Sequence, residues 1–142
     1  MAELNIIEKV IALEAVELLK NLTPDQVSRI ASIATEEKLL PGKPVLEAGR
    51  PLDSLYVIID GSVEITRNGE RLHVARQYEV LGSWALFDED PPPVSAVTLE
   101  DTRLLRISRD DFFDLLSDNM EIAASIFSTL VKRFRKLVEQ PA

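Results

Sequence analysis

Apolar residues recur at three- and four-residue steps over the first part of the chain, alternate or run together through its middle, and return to helical steps near its end. Leu4, Ile7, Ile11, Ala15 and Leu18 form one such stripe and predict a helix over 3–20. Thr23, Pro24, Asp25 and Gln26 then form a capping-box pattern, with a hydroxyl for the third amide, a proline suited to the first turn and a glutamine able to reach back. A second helix follows, with Val27, Ile30, Ala31 and Ala34 as its core face, and should end before Pro41-Gly42.

From 42 to 107 the pattern changes to short β-type runs broken by Gly, Pro and Asp. Val63 and Ile65 alternate with Glu64 and Thr66, and Leu72 and Val74 alternate with Arg71, His73 and Ala75. Between them Asn68-Gly69 supplies the two positive-φ residues of a tight hairpin. The unbroken run Leu55 to Ile59 predicts a strand covered on both faces. The last third is helical: Ser108 is the expected N-cap before Phe112, Phe113, Leu115 and Leu116, and Asp118 the cap three residues ahead of Glu121. In the final helix Ala123, Ile126, Phe127, Leu130, Phe134 and Leu137 share a face. The reading is one domain over 1–142, mainly β with flanking helices: helices over 1–40, a β-roll over 41–107 and helices over 108–140.

Composition narrows the chemistry. With 142 residues, 46% of them hydrophobic, one ordinary core can form, and no apolar run approaches the roughly 18 residues that cross a bilayer. Glu3, Glu8 and Glu14 stand where an export signal would be basic and apolar, so a cytoplasmic setting and no membrane insertion are expected. The chain has no cysteine and one histidine, His73, so neither a metal nor a cofactor is expected. A net charge of −8 opposes nucleic acid as a partner. No nucleophile and base pair, metal cluster or P-loop suggests an enzyme, and no catalytic residue is assigned.

The stretch from Pro41-Gly42 through Gly49, Asp53-Ser54-Leu55-Tyr56 and Gly61 to Val63-Glu64 resembles the opening of the roll in cyclic-nucleotide-binding domains, the family of the catabolite activator and of kinase regulatory subunits. Its turn glycines match Gly42, Gly49 and Gly61, at corners where only glycine bends without strain. The resemblance extends through Leu99–Thr102 and Leu104–Ile107 into both helical flanks, and implies a jelly-roll-type double-stranded β-helix.

It also identifies 82–98 with the family's phosphate-binding cassette. Gly82, Ala85, Leu86 and Pro91 agree with that pattern; the glutamate that holds the ribose falls on Ser83, and the arginine that pairs with the phosphate falls on Pro92. No Lys or Arg lies between Arg76 and Arg103, so no shift of register restores the cation. Losing both groups weakens binding by about 3 to 6 kcal/mol, which carries a micromolar site to about millimolar or beyond. Asp88, Glu89 and Asp90 add like charge, and Pro92 and Pro93 remove two backbone donors.

The expected pocket residues of this degenerate cassette are Gly82, Ser83, Trp84, Ala85, Pro92, Pro93 and Ser95, with Trp84 as core or pocket filling. His73 reads as a solvated strand residue and 88–90 as a solvated loop tip. Lys132, Arg133, Arg135 and Lys136 suit the C-terminal end of a helix dipole. The expected function is a regulatory or interaction module that does not take cyclic AMP or GMP in the usual way. The alternative is a sensor of cyclic nucleotide or another small ligand, using backbone amides with Ser83 or Ser95. The expected partners are an attached effector, since the chain as given stops at Gln140-Pro141-Ala142 without a DNA-binding motif, and a twin chain through Phe127, Leu130, Phe134 and Leu137.

Overall fold

The computed structural model describes residues 4–139. Two four-stranded antiparallel sheets form the roll, one in the order β1-β8-β3-β6 and the other in the order β2-β7-β4-β5. Their strands are β1 Thr35–Leu39, β2 Pro44–Leu46, β3 Ser54–Asp60, β4 Val63–Arg67, β5 Glu70–Ala75, β6 Val80–Leu81, β7 Ser95–Thr98 and β8 Thr102–Ser108. Four helices flank them: α1 Ile6–Leu13, α2 Pro24–Ile33, α3 Arg109–Asp118 and α4 Met120–Glu139. None is long and apolar enough to cross a membrane.

Strand β3 lies between β8 and β6, and its alternation feeds two cores. Leu55, Val57 and Ile59 join Leu105, Ile107, Phe112, Ile122 and the N-terminal helices on one side. Ile58 and Leu104 join Leu46, Val63, Ala75, Leu81 and Ala96 inside the roll. The strand is thus covered on both faces, as its unbroken apolar run predicts. The Asn68-Gly69 hairpin also forms, with φ of 53° and 81°. Both sides of the Thr23–Gln26 capping box are made, and the Ser108 hydroxyl accepts the Asp111 amide.

Other expectations are corrected. The first helix stops at Leu13, and Glu17–Leu19 form a separate 3₁₀ turn, so the long stripe breaks: Ile7, Ile11 and Ala15 are exposed, whereas Ala12, Leu13, Val16 and Leu19 are buried. Helix α2 ends at Ile33 rather than near 40, because residues 35–39 pair with β8 from Thr35↔Arg106 to Leu39↔Thr102. The roll therefore begins at Thr35, not 41. On β5 the inward parity is inverted: Val63 pairs with Ala75, which leaves Leu72 exposed. Asp118 closes α3 instead of capping α4, and the break falls at Asn119, whose carbonyl accepts the Ile122 amide at 3.0 Å.

Gly61 crosses closest to a neighbour. A Cβ there, at φ 99°, would lie 2.5 Å from Thr102 Oγ1 and 2.7 Å from the Asp101 carbonyl. Gly61→Ala should cost about 3 kcal/mol in urea unfolding. Gly49→Ala, with no heavy atom within 4 Å of the added carbon, should cost about 1 kcal/mol.

Candidate functional site

Segment 82–98 leaves β6 at Gly82, turns through a short 3₁₀ helix, Ser83–Leu86, crosses a loop and re-enters the sheet as β7. Gly82 has φ 71°, and a Cβ on it would lie 2.6 Å from Leu52 Cδ2. Leu52 thus covers the start of the short helix, with Leu46 behind it at 3.8 Å. With three residues per turn, Ser83 and Leu86 eclipse, Ala85 points inward and residue 84 is left outward. Trp84 is accordingly 63% exposed, against the expectation of core or pocket filling. Its ring and Ser83 line a groove on the outer side of the short helix, facing α4.

The loop beyond is tied to the β2–β3 connection. Pro92 is buried and its carbonyl accepts the Gly49 amide at 3.1 Å, while Ser95 Oγ accepts the Ala48 amide at 3.0 Å. Pro93 is exposed, as are Asp88, Glu89 and Asp90, and the Asp88 carboxylate accepts the Asp90 amide at 2.9 Å. Among the described residues no group of three or more His, Asp or Glu could hold a metal ion. His73 lies 2.6 Å from Glu79, with His73 exposed and Glu79 half-buried.

One residue that sequence reading passed over holds the segment in place. Arg109 Nε donates to the Ala85 carbonyl at 2.7 Å, and Nη2 donates to Leu52 O at 2.8 Å and Asp88 O at 3.3 Å. Its own amide donates to Asp53 O at 2.7 Å. A single guanidinium therefore joins the short helix, the loop after it and the β2–β3 connection to the start of α3. Phe87 adds an edge-on contact to Phe112 of α3, centroid to centroid 5.8 Å. The one sequence signal was a cation in the first turn of a helix, where the dipole disfavours it.

A second polar group sits on the roll-facing side of the β8-β3 sheet. Arg106 Nε donates to Ser54 Oγ at 2.8 Å and Nη2 to Asp53 Oδ1 at 3.4 Å, with Glu37 3.8 Å away. The Ser54 hydroxyl hydrogen bond, with Arg106 in support, holds the Asp53 carboxyl below its ordinary range. Burial, helped by the Glu37 carboxylate, raises the Tyr56 hydroxyl above 10.0 although Arg106 opposes it.

Helix α4 docks through Ile122, Ile126 and Thr129, and Asn21 Nδ2 donates to Thr129 Oγ1 at 2.9 Å. The single face expected of it divides: Ile126 is buried, whereas Phe127, Leu130, Phe134 and Leu137 are exposed, together with every residue from 131 to 139.

A model of the cyclic nucleotide-binding domain matches residues 36–119. A cyclic AMP receptor protein of Thermus thermophilus is 30% identical over 84% of this chain and 57% of its own length. A cAMP-dependent protein kinase regulatory subunit of Aspergillus fumigatus is 32% identical over 73% of this chain and 26% of its own. The rice potassium channel KOR2 is 30% identical over 82% of this chain and 17% of its own. The chain thus spans well under two thirds of these relatives. The crystal structure of the N-terminal domain of a Streptomyces coelicolor transcriptional regulator superposes with a TM-score of 0.85 at 25% identity, covering 92% of this chain and 97% of that one.

Arg109→Ala should lower stability by about 2 kcal/mol and speed hydrogen exchange at the Ala85, Phe87 and Asp88 amides. Unchanged exchange at those three amides would show that the guanidinium does not hold the segment. On the alkaline side the unfolded chain releases the Tyr56 proton near 10.0 while the folded chain keeps it, so stability falls as pH rises from there through the folded value. Tyr56→Phe should flatten that part of the stability profile in urea melts.

Proposed function

The chain belongs to the cyclic nucleotide-binding domain family, and from that premise we propose that it is a non-catalytic regulatory module whose cassette works by contact rather than by taking cyclic AMP or GMP in the usual way. The observation that carries this reading is the state of the cassette itself. Pro92, at the position the family gives to its phosphate-pairing arginine, is buried with its carbonyl committed to Gly49. Ser83, at the position of the ribose-binding glutamate, borders the groove on the α4 side. Leu52 and Leu46 crowd the start of the short helix, where an anion would otherwise meet backbone amides. Ser95 Oγ is already engaged by the Ala48 amide.

The route of regulation runs through Arg109 and Phe87 into α3 and α4, and ends on α4's outer stripe. Phe127, Leu130, Phe134 and Leu137 follow three- and four-residue spacing, with Val131 and Val138 beside them. That stripe suits a twin α4 or the helix of an attached effector; the relatives include a potassium channel, a cyclic AMP receptor protein and a kinase regulatory subunit. We assign the twin chain as its partner in the isolated domain.

Titration with cyclic AMP and cyclic GMP, followed by melting temperature, should give no shift at millimolar ligand. A micromolar site would instead add about 4 kcal/mol at about a thousandfold excess over Kd and would restore the sensor reading. Sedimentation should show self-association that Phe134→Ser abolishes without changing the melt beyond about 0.5 kcal/mol. A wild-type chain that stays monomeric at high concentration would remove the twin-chain assignment.

A further inference from the structure

Outside the roll, between the short helix of the cassette, the 3₁₀ turn at 17–19 and α4, lies a groove of about 490 Å³. Val16, Leu18, Val80, Trp84, Phe87 and Leu130 make its apolar walls. Ser83, Glu17 and Arg133 border it with polar groups. Its volume falls in the range of small-molecule sites, and apolar walls with a few convergent polar groups are their usual construction. Two of its aromatic rings, Trp84 and Phe87, stand open to solvent, an exposure that burial by a ligand would relieve.

The charges at the mouth define what would fit. Glu17 is shared by Lys20 at 3.5 Å and Arg133 at 3.7 Å, so two cations face one carboxylate. Lys20 does not line the groove, so the cation at its rim is Arg133, which shares the Glu17 carboxylate with Lys20. The contact between Arg133 and Glu17 is long for a hydrogen bond, so the guanidinium's donors are open to a better-placed anion. We propose that this groove binds an amphipathic monoanion, an aromatic or aliphatic body stacked on Trp84 with one carboxylate or sulfonate held by Arg133. Such a ligand would touch the cassette helix, the N-terminal turn and α4 together, and so favour one placement of α4. The groove is separate from the roll interior, so this assignment stands or falls independently of whether the roll takes a cyclic nucleotide.

Trp84 is the chain's single tryptophan, so the site reports on itself. The probes are anilinonaphthalene sulfonate and its uncharged parent, phenylnaphthylamine, added to the folded chain. The expected result is saturable one-to-one binding with Trp84 emission quenched, tighter for the sulfonate. Arg133→Met should weaken the sulfonate about tenfold or more and leave the uncharged dye unchanged. Glu17→Gln should tighten the sulfonate. Phe134→Ser, on the stripe of α4 beyond the groove, should change neither. The proposal is overturned by dye binding that does not saturate, that ignores Arg133, or that is lost with Phe134→Ser. It is equally overturned if dye is expelled as the chain self-associates, because the groove then belongs to a second copy.

Discussion

Strands β3 and β8 pair antiparallel from Ser54↔Ser108 onward, and one alternation along that pair serves two cores at once. Leu55, Val57, Leu105 and Ile107 face the helices, whereas Ile58 and Leu104 face the roll. A slip of one residue would turn both sets around together, exposing apolar side chains on each face. Register is therefore fixed from two sides, and the elements that depend on it inherit that precision. Gly61 can pass within touching distance of Thr102 only because the pair is fixed this way. The close of β8 at Ser108 also sets where α3 starts, and so where the Arg109 guanidinium reaches.

That dependence gives the cassette its character. A segment with one 3₁₀ turn and an exposed loop has little structure of its own, and its order comes from outside it: Arg109 from α3, Gly49 and Ala48 from the β2–β3 connection, and Leu52 above Gly82. In a site built to close on an anion, such contacts would be completed by the ligand. Here backbone groups and a buried proline already supply them, and the proposed regulation by contact rests on that.

Much of the fold could be read from the sequence because local chemistry and tertiary structure agree in those places. Asn68-Gly69, the Thr23 capping box, the Ser108 cap and the Leu55–Ile59 run each ask for the structure they receive. The failures fall where a partner distant in sequence decides. Glu36, Glu37 and Lys38 are good helix formers, yet pairing with β8 and the Arg103–Glu36 ion pair at 3.1 Å make them strand. Trp84 looked like core because large aromatics usually are, but a four-residue 3₁₀ turn has one outward position and it falls there. Apolar spacing on α4 could not separate residues that dock from those that do not, since both lie at helical steps and it is the packing of Ile122 and Ile126 into the core, with Thr129 against Asn21, that distinguishes them. Arg109 was hidden because all the acceptors of its side chain are backbone carbonyls, which leave no trace in residue type.

Helix α4 is buried against the domain only in its first half, by Ile122, Ile126 and Thr129, with the exposed Arg133–Glu17 pair beyond them, and its twenty residues extend roughly 30 Å from Met120. It is a lever with its fulcrum against the domain body. A tilt of roughly ten degrees at the Asn119 break would sweep the far tip through about 5 Å, a displacement as large as one helical turn. A small change of angle there is magnified at that tip, on the part of the molecule that carries both its apolar stripe and its Lys132–Lys136 positive charge.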